Sequence, residues 1–297
     1  MASIIACPGP SRPHRQDALG PDRAAPVRRA GQLDADGLDR RASPCPPTDE
    51  PLRTVDHDRR LTRAEPGRYG LWRKARMDMT VADWCIADLG ITEDPGRDAS
   101  DTERARIARD LAPVDGLGWI GEETTIRVHD LPFYEGADLV IAADSSWEPE
   151  GVHACWLRHA NLFWRLNGQS APIHDLNGKV GVRLGRQSAL PYLRFFCYFV
   201  RGEDGPFIVA EERTLSRLAQ DVRAAVEANV VPADLLGEDR QGSYHAAAVV
   251  IYGTALFAAR FRIHPSGMVE MVDDEPLDGG LPARIGAPLN VTGPRPD

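Results

Sequence analysis

The chain has 297 residues, of which 42% are apolar and 27% are charged, and its formal net charge is −9. This balance is typical of globular proteins and excludes fibrous and membrane-embedded classes. The longest run without charged residues or histidine, Ala246–Ala259, has 14 residues. Because a membrane-spanning helix needs about 20 residues, we expect no membrane segment.

The first fifth of the chain differs in composition from the remainder. All twenty aromatic residues lie at or after Tyr69, and residues 1–65 contain nine prolines, eleven arginines and ten acidic residues. Ordering such a segment costs about 1–2 kcal/mol per residue in backbone entropy, with little apolar area to offset it. We therefore predict that residues 1–68 are disordered.

An alternative explanation of this segment comes from the basic residues. Lys74 and Lys179 are the only lysines beside 33 arginines, as expected for a GC-rich bacterial gene. A start codon assigned too far upstream would produce a segment of similar composition. Two explanations are therefore left open: translation begins at Met77 or Met79, or the protein has a genuine flexible extension. The intact mass of the native protein distinguishes them.

Charge and cysteine spacing restrict the partners and the compartment. Residues 66–297 carry 24 basic and 34 acidic side chains, and an acidic body argues against nucleic-acid binding, which needs clustered basic charge. The cysteines occur singly, without a CxxC pair, which favours a reduced, cytoplasmic setting. They are Cys7, Cys45, Cys85, Cys155 and Cys197.

Residues 69–115 are predicted to form a short helical segment. A helix is expected over Thr80–Gly90, which begins with a capping threonine and ends with a glycine. A second helix is expected from Ser100, with Glu103 as its capping-box partner, and should stop before Pro113.

Strands are predicted next, in the runs TIRVH and ADLVIAA between residues 124 and 142. The text VHACWLRHANLFWRLNG fits either one helix or a hairpin that turns near residues 160–161. We favour the hairpin, because a helix would leave Leu157 and Trp164 on a second apolar face.

The text SALPYLRFFCYFVRG predicts a helix, with Ser188 as its cap, Pro191 in its first turn and Gly202 at its end. A strand, FIVAE, follows. Residues 214–228 then have the apolar spacing of an amphipathic helix.

Two tight turns fix the register of the C-terminal strands. Gly253-Thr254 fits a type II′ hairpin, and His264–Gly267 fits a type I turn with Gly267 in a left-handed bulge position. Both registers place apolar residues on one face, with Ile263 opposite Val269. We therefore predict an α+β protein in which an antiparallel β-meander packs against several helices. Its globular domain spans residues 116–280, and residues 281–297 form a flexible tail.

The opposite face of this meander carries a polar row. The registers place His245 opposite Arg262, and Arg262 opposite Glu270, and cross-strand neighbours interact directly. Arg262 would disfavour protonation of His245 and stabilise ionised Glu270, leaving a neutral imidazole available as a general base. A solvated sheet face with pairs worth about 0–1 kcal/mol each is the simpler interpretation.

A second cluster contains side chains that zinc accepts: His153, Cys155, His159 and His174. Their spacing is not an established ligand pattern, so a core cysteine beside partly exposed histidines is the favoured interpretation. The sequence predicts no metal and no other cofactor.

The segments YLRFFCYFVRGEDGPF and FRIHPSGMVEMVDDEPL resemble stretches of bacterial proteins with no assigned activity. The resemblance covers the last half of the chain. It implies a bacterial domain and assigns no role to any residue.

The common nucleotide-binding, zinc-protease and serine-hydrolase motifs do not occur in the sequence. The leading hypothesis is therefore a cytoplasmic protein that binds a protein partner or a small molecule without catalysis. The alternative is a small hydrolase or isomerase that uses His245 as general base with Arg262 and Glu270 as charge partners.

Overall fold

The computed structural model describes residues 79–80, 86–115, 120–149, 151–278, 280–291 and 293–294. The predicted disorder of residues 1–68, the start at Met77 and most of the predicted helix over Thr80–Gly90 lie outside these residues. The described end of that helix, residues 86–90, is a turn rather than a helix. Gly90 ends it with φ +66°, the left-handed conformation expected of a terminal glycine.

The first described elements are β1 Met79–Thr80, β2 Arg97–Asp98, α1 Asp101–Asp115, β3 Thr125–Asp130, β4 Ala137–Ala143, β5 Trp147–Glu148, β6 His153–His159 and β7 Leu162–Leu166. Five of these strands form an antiparallel sheet, which we call the N-terminal sheet, with strand order β2-β3-β4-β6-β7. The TIRVH and ADLVIAA strands are confirmed as β3 and β4.

The ambiguous aromatic stretch is the hairpin that we favoured. Strands β6 and β7 pair with His159 opposite Leu162, and Ala160 turns the chain with φ +53°. Helix α1 also begins as predicted, since the main-chain N–H of Glu103 donates to Ser100 Oγ at 3.3 Å. The helix continues through Pro113 instead of stopping before it.

Both faces of the N-terminal sheet are covered. Apolar side chains of α1, including Ile107 and Leu111, pack on one face with Val140 and Trp156. The other face belongs to a larger buried cluster that also contains the central helix α3 (Ala189–Phe199). A sheet buried on both faces explains why ADLVIAA is apolar at nearly every position.

The middle of the chain consists of helices and one hairpin. The helices are α2 Ala171–Val180, α3 Ala189–Phe199, α4 Glu212–Leu215, α5 Gln220–Val226 and a 3₁₀ turn at Glu227–Asn229, and the hairpin is formed by β8 Arg201–Gly202 and β9 Gly205–Val209. The single helix expected over residues 214–228 is therefore divided between α4, α5 and this turn. Its predicted apolar positions are nevertheless buried: Leu215, Leu218, Val222 and Val226.

Helix α3 is confirmed, although its details differ from the prediction. Ser188 occupies the N-cap position, but its hydroxyl donates to the carbonyl of Arg183 at 2.8 Å instead of capping the helix. The helix ends at Phe199, before Gly202. Nearly every side chain is buried, because α3 lies within the large core and presents no solvated face. Its arginine, Arg194, pairs with Glu211 at 2.7 Å.

The last long strands of the chain are β10 Asp234–Glu238, β11 Tyr244–Tyr252, β12 Ala255–Ile263 and β13 Val269–Asp278. With β8 and β9 they form the second sheet, which we call the C-terminal sheet. Its strand order is β13-β12-β11-β9-β8, with β10 also paired to β11. Tyr252 lies opposite Ala255 and Ile263 opposite Val269. Both predicted registers therefore match the observed pairs.

The last described residues do not form the flexible tail that we expected. Residues 281–289 alternate between buried and more exposed side chains, and the buried ones are Leu281, Ala283, Ile285, Ala287 and Leu289. Strand β14 (Ile285–Gly286) pairs with β1, and β15 (Gly293–Pro294) pairs with β5. This period of two is a strand pattern that places every second side chain in the core.

No helix among the described residues has the length and apolarity to cross a membrane.

Candidate functional site

The predicted polar row is present on the C-terminal sheet, but its side chains are arranged differently. His245 lies opposite Arg262, as expected from the register. The two side chains meet at Asp239, whose Oδ2 lies 3.3 Å from His245 Nε2 and accepts from Arg262 Nη2 at 3.0 Å. Arg262 also donates to Gln241 at 2.7 Å. Asp239, which precedes β11, was not among the residues expected from the sequence.

Glu270 does not pair with Arg262, although their backbones are opposite each other. Glu270 Oε2 lies 3.0 Å from His264 Nε2 instead. The guanidinium of Arg262 is directed toward Asp239, whose other carboxylate oxygen accepts main-chain N–H groups of Gln241 and Ser243. A carboxylate fixed by its own loop is a better-placed partner than Glu270, whose side chain is more exposed.

These contacts satisfy Asp239 within the protein. The Ser243 main-chain N–H is the leading cause that lowers the pKa of Asp239 to about 2. The carboxylate is therefore ionised at neutral pH, and it can orient the His245 ring and hold the guanidinium of Arg262. The arrangement anchors the loop before β11 to the sheet face.

The four candidate zinc ligands are not brought together. His153 and His159 lie at opposite ends of β6, about 20 Å apart at the rise of a β-strand, and His159 Nδ1 lies 2.9 Å from the carbonyl oxygen of Gly136. His174 belongs to α2 and contacts the Phe196 ring. Within the described ranges, no three His, Cys, Asp or Glu residues form a group that could hold a metal ion.

A cavity of about 810 Å³ lies on the N-terminal sheet. The β3–β4–β6 pairing places alternate side chains of three strands on its floor. One row holds Thr125, Ala143 and His153, and the next holds Arg127, Ile141 and Cys155. The middle strand is apolar, and both flanking strands carry polar groups. At ordinary strand spacing the three strands span about 10 Å.

The cavity walls come from distant parts of the chain. Tyr198 and Phe199 at the end of α3 line it, as does Leu289 of the C-terminal segment. Arg165 on β7 donates to the Leu289 carbonyl at 2.8 Å. Arg201 donates to the Ala287 carbonyl. The segment that we expected to be a tail is thus bound to the sheet and completes the cavity.

The cationic residues that line the cavity differ in how far they are already paired. Arg217 lies 2.6 Å from a carboxylate oxygen of Asp88, and Arg104 donates to Asp101 and to the main chain of Glu122. Arg127 donates only through Nε, to Asp98 Oδ1 at 3.2 Å. Both Nη groups of Arg127 therefore have no partner among the described residues.

His129 follows Arg127 on the same face of β3. It is 1% exposed, and its Nδ1 atom has no hydrogen-bond partner in the described part of the chain. Burial is the main cause that lowers its pKa, against a hydrogen bond with the main chain of Asp94. The ring is therefore neutral at pH 7. A buried acceptor without a donor costs about 1–3 kcal/mol.

Cys155 is the one thiol among the described residues that line the cavity. Burial raises its pKa to about 11, and its Sγ lies 3.9 Å from the carbonyl oxygen of His153. A nucleophilic thiol needs a lowered pKa or an adjacent base. Cys155 therefore stays protonated at neutral pH. It forms part of the floor of the cavity and does not act as a reactive group.

The sequence contained one signal for this cavity. In TIRVH the polar residues alternate with apolar ones, whereas its neighbour ADLVIAA is apolar on both faces. A strand that is apolar on both faces has both faces covered, so the polar face of its partner strand borders a covered region, although Thr125 and Arg127 themselves are exposed. Which elements cover that face is not encoded locally.

Comparison of the chain with protein-family models, with curated proteins and with solved structures finds no match.

Proposed function

We propose that this protein binds a small organic molecule in the cavity of the N-terminal sheet, without catalysing a reaction. The cavity itself is the observation that carries the proposal. Its volume of about 810 Å³ lies within the range of about 300–1,000 Å³ that is typical of small-molecule sites. Its apolar centre beside a few polar groups is also characteristic of such sites.

The chemistry of the walls favours binding over catalysis. Burial raises the pKa of Cys155 and lowers the pKa of His129, so that each group is uncharged near neutral pH. The neutral thiol of Cys155 can donate a weak hydrogen bond to a ligand. A reducing, cytoplasmic setting agrees with Cys155 and Cys197, which are both buried free thiols.

The proposal is tested by filling the cavity. Ala143 lies on its floor, and Ala143→Leu places a larger side chain where the ligand would lie. We expect binding of the neutral fluorescent probe N-phenyl-naphthylamine, measured by titration of the full chain, to weaken by about tenfold or more, as about 1.4 kcal/mol corresponds to one factor of ten.

The matched control is Ala258→Leu. Ala258 is also a half-buried alanine within a strand, but it lies on β12 and does not line the cavity. This variant should bind the probe like the wild type. Equal losses in both variants, or no probe binding by the wild-type chain, would overturn the proposal. Native mass spectrometry of untagged protein provides an independent readout, because a bound metabolite adds its mass to the chain.

A further inference from the structure

We infer that the ligand is an organic oxyanion whose charged end binds Arg127 and whose apolar part lies over Ile141 and Ala143. This inference rests on the proposed function and specifies its ligand class. Arg127 borders the floor at β3, and Ile141 lies directly opposite it on β4. One molecule with an anionic end and an apolar body would contact both.

The charge around the cavity is nearly balanced. Three arginines and one aspartate line it, and two of the arginines, Arg104 and Arg217, are also paired with Asp101 and Asp88. Attraction of an anion therefore depends on the one guanidinium whose Nη groups have no partner among the described residues, that of Arg127.

Arg127 is the arginine best placed to act on such a ligand. Arg104 and Arg217 each have an Nη group committed to an aspartate, whereas Arg127 uses only its Nε. The two Nη groups of an arginine form a planar fork that matches the two oxygens of a carboxylate or the oxygens of a phosphate. The carboxylate of Asp98 accepts from the Nε edge of the guanidinium at 3.2 Å and leaves the Nη edge open.

The polar floor residues beyond Arg127 add selectivity rather than charge. His129 lies two residues along the same strand, about 7 Å away, and its buried ring is neutral. Cys155, across β4 from Arg127, is a neutral thiol. The anion is therefore attracted to one side of the floor only.

The test compares two probes that differ in charge. Anilinonaphthalene sulfonate carries an anionic sulfonate, and N-phenyl-naphthylamine has nearly the same ring system without it. For Arg127→Gln we expect sulfonate affinity to fall by about three- to tenfold, since charge-assisted hydrogen bonds at a partly exposed site are worth about 1 kcal/mol. Affinity for the neutral probe should be unchanged, which also shows that the variant is folded.

Arg223→Gln is the matched control. Arg223 is about as exposed as Arg127, at 48% against 51%, and it has one weak carboxylate contact, but it does not line the cavity. This control should leave the affinity for both probes unchanged. Raising the salt concentration should weaken sulfonate binding and spare the neutral probe.

Competition then identifies the anion. Naphthoate and naphthyl phosphate are used to displace the sulfonate, and the stronger competitor shows whether the site prefers a carboxylate or a phosphate. The inference is overturned if neither competes better than naphthalene methanol, or if Arg127→Gln leaves sulfonate affinity intact. In both cases, wild-type binding of the neutral probe that Ala143→Leu weakens about tenfold would still support the proposed function. Absence of neutral-probe binding by the wild-type chain would instead refute the proposed function itself.

Discussion

The two sheets of this protein use their polar side chains in different ways. On the C-terminal sheet, His245 and Arg262 converge on Asp239, which its own loop also holds through main-chain N–H groups. On the N-terminal sheet, Arg127 lines a cavity and keeps both Nη groups without partners among the described residues.

This difference separates polar groups that stabilise a fold from groups that are available to a ligand. Arg262 donates through Nη2 to Asp239 and Gln241. Neither Nη group of Arg127 has a partner among the described residues. The guanidinium on the C-terminal sheet is thus committed within the chain, whereas the one on the N-terminal sheet can still bind a ligand.

The largest expected effect concerns the opposite face of the N-terminal sheet, where Arg158 joins α1 to the strands. Arg158 donates to Glu103 at 3.2 Å and to Asp138, and its side chain is 9% exposed. Arg158→Leu leaves Asp138 without its cation and removes one of the two cations of Glu103, which keeps Arg97, and we expect it to lower the free energy of unfolding by about 2–4 kcal/mol. Urea denaturation measures this loss. A loss below 1 kcal/mol would show that water replaces the guanidinium at these carboxylates without cost.

A smaller effect should appear as pH dependence. Hydrogen bonding to Arg97 is the main cause that lowers the pKa of Glu103 from 4.5 to about 2. A carboxyl whose pKa is lower in the folded protein contributes stability above its unfolded pKa and loses it as the pH falls through the folded value. Stability should therefore decline between about pH 4.5 and pH 2, and Glu103→Gln should make this decline shallower.

Urea denaturation at several acidic pH values measures this slope. Glu123→Gln, at an exposed carboxylate, is the control and should keep the wild-type slope. Asp239→Asn should also flatten the curve, because the pKa of Asp239 is likewise lowered to about 2. If the stability of Glu103→Gln fell with pH as steeply as that of the wild type, the decline could not be assigned to Glu103 on α1.

The smallest expected effect is on the C-terminal sheet. Arg262 is 26% exposed, and Arg262→Leu should cost less than about 1 kcal/mol, as is usual for partly exposed ion pairs. It should leave binding of both fluorescent probes unchanged. A changed ligand profile with a small stability loss would instead support the alternative function, an enzyme that uses His245 as general base.

Much of the C-terminal sheet could be predicted because its information is local. Gly253 and Gly267 adopt φ values of +60° and +81°, and glycine takes such angles at no steric cost. Each turn fixes one register, and the alternation of side chains then assigns every residue to a face. The positions of His245 and Arg262 followed from this, but the direction of the long Arg262 side chain did not.

The sequence by itself determined the strands, the registers around the two tight turns and the apolar positions of the helices, because turn geometry and side-chain periodicity act over a few residues. Only the tertiary structure decided which polar face is covered. The cavity is assembled from β3, the end of α3 and Leu289, which are separated by up to about 160 residues along the chain. Local patterns show that a side chain leaves the strand on one face, but whether it meets water, a carboxylate or an enclosed space depends on segments packed from elsewhere.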